Sequence, residues 1–64
     1  MQDEAFLTES RTTQLTTLSR ATINRKVARG EFPAPIYISA RRKAWRESAV
    51  RAWMEERAAR SADQ

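Results

Sequence analysis

The chain has no cysteine and no histidine, and only one glycine among its 64 residues. The first two absences exclude disulfide bonds, thiolate nucleophiles, zinc fingers and imidazole acid–base catalysis. A single glycine, Gly30, cannot build a loop that cradles phosphates. No apolar run approaches the ~18 residues of a membrane span. The first residues carry Asp3 and Glu4 and no basic stretch followed by an apolar one, so no secretory signal is expected. Glu55 and Glu56 are adjacent and point in different directions on a helix, so they make no catalytic carboxylate pair. These absences imply a soluble cytoplasmic protein, with no membrane partner, that catalyses nothing and needs no cofactor or metal. At this length there is room for one domain, and roughly 60% of the unfolded surface becomes buried. Such a core leaves no space for a large substrate cavity.

What the chain does have is positive charge, and it is unevenly placed. The formal net charge is +4. Between Arg20 and Arg51 stand nine Lys/Arg against only Glu31 and Glu47, a local net of +7. Basic charge gathered in the middle of a small domain is the footprint of a polyanion partner. The plainer reading of the same charges is a solvated surface.

The stretch from Leu18 to Gly30 carries the most information. Ser19 is a good helix N-cap, because its hydroxyl can accept from an early unpaired backbone N–H. Leu18 before the cap and Ile23 four positions inside fit a hydrophobic staple. Gly30 suits the left-handed residue that ends a helix. Between these signals lie Arg20, Arg25, Lys26 and Arg29, and no acid. Upstream, residues 1–5 read as a disordered leader, and Phe6 and Leu7 as apolar residues folding back on the core. Thr8 is a plausible cap for a helix to about Leu15. Thr16-Thr17-Leu18 is then a turn between two short helices, which makes a helix-turn-helix.

Downstream, Pro33 and Pro35 exclude a helix and stiffen the chain. Ile36-Tyr37-Ile38 has the β-branched and aromatic character of a strand. Tyr37 can stack or hydrogen-bond to phosphate, but the favoured reading is a half-buried strand tyrosine. Ser39 to Arg42 form a turn, and Lys43-Ala44-Trp45 the return strand. A hairpin after a helix-turn-helix is a wing, here with Arg41, Arg42 and Lys43 at its tip. The last helix starts between Arg46 and Ser48 and runs to about Arg60, with Val50, Trp53 and Met54 on its core stripe. Residues 61–64 read as a frayed tail. The expected fold is mostly α with a small β-hairpin: a winged helix-turn-helix of three helices plus wing, spanning residues 6–60.

On a wheel of about 100° per residue, Ile23 and Val27 lie about 40° apart and define the buried face of the second helix. Arg25 lies opposite. The N-terminal part of a recognition helix enters the major groove, so Arg20, Ala21, Thr22 and Arg25 become candidates for base edges. Arginine can make two parallel bonds to guanine, and Ala21 or the Thr22 methyl can touch a thymine methyl. Ser19 and the free N–H groups of the helix start suit a phosphate. Lys26 and Arg29 lie further along, toward the phosphate backbone, and Asn24 faces DNA or solvent. Arg41, Arg42 and Lys43 can reach a phosphate row or a minor groove, although Lys43 can alternate inward at the stem instead.

Taken together, Phe6-Leu7, Leu18-Ser19-Arg20 with Thr22-Ile23 and Arg25, Gly30-Glu31-Phe32-Pro33 with Pro35, Arg41-Arg42, Trp45, Val50 and Trp53 resemble the AlpA family. These are small phage and prophage DNA-binding proteins related to excisionases and to the winged-helix head of MerR regulators. The resemblance spans roughly Phe6 to Arg57. Two positions depart from it: Thr17 stands where the family often has a turn glycine, and Asn24 where it often has an aromatic. The resemblance implies a sequence-specific binder of double-stranded DNA, acting as an excisionase (a recombination directionality factor), a transcriptional regulator, or both. It also implies a phage integrase as partner. One recognition helix reads too few base pairs for a unique address, so self-association on DNA is expected, with the nucleoid as its place when bound. A protein-interaction module, such as an anti-repressor, is the alternative.

Overall fold

The computed structural model describes residues 5–62. Among the described residues are three helices and a three-stranded antiparallel sheet, in the order β1 (Phe6–Thr8), α1 (Glu9–Thr16), α2 (Arg20–Ala28), β2 (Ile36–Ser39), β3 (Arg42–Arg46) and α3 (Glu47–Ala62). Residues 1–4 of the expected leader, and the last two of the expected tail, lie outside this range. Ala5 is not part of a free leader, because its carbonyl accepts from the Glu47 N–H at 2.9 Å. Nor does the last helix stop at Arg60; it continues through Ser61 and Ala62.

Local chemistry sets the helix ends. Thr8 closes β1 and caps α1, its hydroxyl accepting from the Arg11 N–H at 3.0 Å. Thr17 then reverses the chain with φ 63°, a left-handed conformation that is uncommon for a β-branched residue. Its N–H is held by the Thr13 carbonyl at 2.8 Å. Ser19 caps α2 by accepting from the Thr22 N–H at 3.2 Å. At the far end Gly30, with φ 73°, completes a Schellman turn. Its N–H reaches the Val27 carbonyl at 3.0 Å, and the Glu31 N–H reaches the Lys26 carbonyl at 2.8 Å.

Phe6 and Leu7 do more than fold back on the core. They form an edge strand that pairs with β3, Leu7 opposite Trp45, so the hairpin gains a third strand. Leu7, Ile23, Phe32, Trp45 and Val50 make the core. Trp53 and Met54 pack against it while remaining only half-buried. Each tryptophan also ties down the proline-containing connection: Trp45 Nε1 donates to the Pro33 carbonyl at 2.8 Å and Trp53 Nε1 to the Glu31 carbonyl at 2.9 Å. Phe32 sits between the two rings, edge-on to both. This clamp fixes where β2 begins relative to the end of α2. Thr12 is fully buried, and its hydroxyl is satisfied by donating back to the Thr8 carbonyl at 2.8 Å.

Candidate nucleic-acid interface

Burial of Ile23 on α2 turns the opposite side of that helix outward. Ala21, Asn24, Arg25 and Arg29 are exposed, while Thr22 and Lys26 are half-buried at its flank. The Ser19 hydroxyl donates to Thr22 Oγ1 at 3.0 Å, and Arg25 Nη2 donates to the same oxygen at 3.2 Å. Ser19 is therefore occupied by its capping role. The same row of hydroxyls lays the Arg25 guanidinium back along the first turn of α2. Arg20, at the helix start, has 64% of its side chain exposed.

The hairpin lies beside this helix. Its two-residue turn is Ala40-Arg41, and Arg42 opens β3. Both arginines are exposed. An irregularity between Tyr37 and Ser39 leaves Ile38 as an extra, exposed residue. Tyr37, opposite Lys43 on the edge strand β2, is exposed and not half-buried. Arg20, Tyr37, Arg41, Arg42 and Lys43 line one shallow groove with Glu9.

Lys43 does not belong to the tip. It lies one residue into β3 and points back to α2, with its ammonium 3.0 Å from Asn24 Oδ1, 3.5 Å from Glu9 Oε2 and 5.6 Å from the Trp45 ring centre. Its side chain is 25% exposed. Of the two sequence options for this lysine, the inward one is observed. Asn24 is correspondingly engaged with the hairpin. The structure brings Arg20, Arg41, Arg42 and Lys43 to one groove and sets Arg25 and Arg29 on the outward side of α2. Lys26 faces away, toward a second groove that it shares with Leu15, Leu18 and Met54. Glu9 is the residue sequence reasoning missed. Its place directly after the Thr8 cap signals a helix start, where an acid suits the dipole, and nothing local signals its reach to Lys43.

Among the described residues there is no cluster of side chains able to hold a metal, and no helix long and apolar enough to cross a membrane.

The family model described as prophage CP4-57 regulatory protein (AlpA) matches residues 5–58. A relative described as uncharacterized protein ORF88 of Enterobacteria phage P4 is 39% identical over 56 residues. That match covers 88% of this chain and 64% of the relative, so the chain spans less than two thirds of the relative's length. No solved structure matches it.

Proposed function

The chain belongs to the AlpA family of prophage regulatory proteins, and we propose that it binds specific double-stranded DNA as a winged helix-turn-helix. In this reading α1 and α2 are the helix pair, α2 enters the major groove, and the β2–β3 hairpin is the wing. The observation that carries it is the basic groove shared by the start of α2 and the hairpin turn, lined by Arg20, Arg41 and Arg42. Arg25 and Arg20 are the base-reading candidates, with Ala21 and Thr22 beside them. Arg29, Arg41 and Arg42 hold phosphate. Ser19 shapes the helix start, and Asn24 and Lys43 hold the wing in place. The protein catalyses no step, and an integrase supplies any strand cleavage.

One helix reads only a few base pairs, too few for a unique address in a genome. We therefore assign binding to repeated sites filled side by side by a protein that is monomeric when free, with bending of the DNA. The role is excisionase, regulator, or both, exercised at the nucleoid in the cytoplasm. Phe6 and Ile38, exposed apolar residues on the two edge strands, favour a protein-interaction module such as an anti-repressor as the second reading. Footprinting on DNA flanking the chain's own gene, with circular-permutation gels, tests these roles. Protection and bending of an attachment site mark an excisionase, and protection of a promoter alone marks a regulator. No protection of any duplex moves the account to the interaction module.

A further inference from the structure

Glu9 is out of place in the basic groove. It is the one acid among the residues that line it, and its two carboxylate oxygens face different elements. Oε1 lies 3.9 Å from Arg20 Nη1 on α2, and Oε2 lies 3.5 Å from Lys43 Nζ on β3. The Glu9 side chain is 24% exposed, so it is partly shielded from solvent. Arg20, by contrast, reaches well into solvent, and 3.9 Å is a loose contact for a guanidinium–carboxylate pair.

A carboxylate between two cations in a basic groove stands where those cations would attract a phosphate oxygen. We propose that Glu9, held by Lys43, is a specificity-determining residue that competes with DNA phosphate for Arg20. The inference rests on the DNA-binding reading above. On a random duplex, Arg20 turns to a phosphate and draws it up against the Glu9 carboxylate, which repels it. On the right sequence, Arg20 turns to a base edge instead and brings no phosphate to Glu9; the loss of the Arg20–Glu9 contact is common to both complexes and cancels. Glu9 thereby lowers binding to all DNA but lowers nonspecific binding more. Specificity of this kind comes from weakening the wrong complex. Lys43 has a second anchor in Asn24 Oδ1 at 3.0 Å, so the wing keeps its place when the Glu9 pairing is removed.

The test compares the unaltered protein with Glu9→Gln and Glu55→Gln. Glu55 is an exposed acid on α3, outside the groove, and its variant makes the same change in net charge. Binding is measured by fluorescence anisotropy across a salt series, on a random duplex and on a duplex selected from a random pool by the unaltered protein. Glu9→Gln is expected to bind the random duplex more tightly and to steepen its salt dependence. Every further phosphate that the protein neutralises adds about 0.9 to the slope, roughly a 3.5-fold change between ~50 and ~200 mM salt. The ratio of selected to random affinity should fall. Glu55→Gln should shift both duplexes alike and leave that ratio unchanged.

Equal behaviour of the two variants would reduce Glu9 to net charge and overturn the proposal. So would a loss of selected binding in Glu9→Gln with an unchanged slope, which marks a purely structural acid. In both cases the unaltered protein still binds DNA, and the functional reading stands. Absence of salt-dependent duplex binding by the unaltered protein overturns both. Should Glu9→Gln fail to fold, Glu9→Asp keeps the charge at the helix start and withdraws it by one methylene. It must then show the same change at smaller size, and an unchanged ratio in that variant overturns the proposal.

Discussion

The Lys43 ammonium donates to Asn24 Oδ1 at 3.0 Å, joining residues nineteen positions apart and fastening the hairpin to α2. Buried Trp45 and the β1 pairing anchor the stem of the hairpin, and this contact adds a polar tie from β3 to the exposed face of α2. In a double-mutant cycle with Lys43→Met and Asn24→Ala, the two side chains should couple by about 0.5–1 kcal/mol in urea unfolding. Additive losses would mean that packing of Trp45 alone positions the hairpin.

Two left-handed residues should respond in opposite directions. Thr17, with φ 63°, carries a branched Cβ in a conformation that costs an L-residue roughly 1–2 kcal/mol. Thr17→Gly removes that strain, gives back part of the gain through the more flexible unfolded chain, and should stabilise by about 0.5–1 kcal/mol. Gly30 has φ 73° and open space around its missing Cβ, so Gly30→Ala costs backbone strain alone, about 1 kcal/mol. For a domain of this size the melting temperature should move by about 4–8 °C per kcal/mol. Movement of both variants in the same direction would contradict the geometry.

What could be read from the sequence follows the range of the interactions. Thr8, Ser19 and Gly30 were legible because a cap is written within four residues of the end it closes. Ile23, Val50 and the hairpin were legible because spacing along one element reveals a buried stripe or a strand. β1 was not, since three residues carry no periodicity and Phe6 to Thr8 are a strand only by pairing with β3. Lys43 and Glu9 were hidden for the same reason: their partners lie on other elements. A run of three basic residues looks alike whether all face outward or, as here, the third turns in.

Arg25 and Arg20 should differ in how they affect recognition. Arg25 stands exposed on α2 with its hydrogen bond made to Thr22 Oγ1, whereas Arg20 is already partly neutralised by Glu9. Arg25→Ala is expected to weaken binding to a selected duplex by about 1–3 kcal/mol while leaving random-duplex binding largely intact. Arg20→Ala should cost less. Anisotropy titrations on both duplexes measure this, and equal losses on the two would show that Arg25 holds phosphate and reads no base.

The hairpin arginines should act through salt dependence. Arg41→Ala with Arg42→Ala should flatten the slope of log affinity against log salt by about 0.9 for each phosphate left without its arginine. Base preference should hardly change. An unchanged slope in the folded double variant would place the hairpin turn off the DNA.

The central claim is that the outward side of α2 and the hairpin turn form one DNA-facing surface. Backbone amide shifts, followed by NMR as a selected duplex is titrated into the labelled protein, test it most directly. The account predicts the largest changes from Ser19 to Arg29 and from Ser39 to Lys43, with the exposed side of α3 nearly silent. Changes centred on α3 or on the Phe6 edge of the sheet, with α2 and the hairpin turn undisturbed, would contradict it.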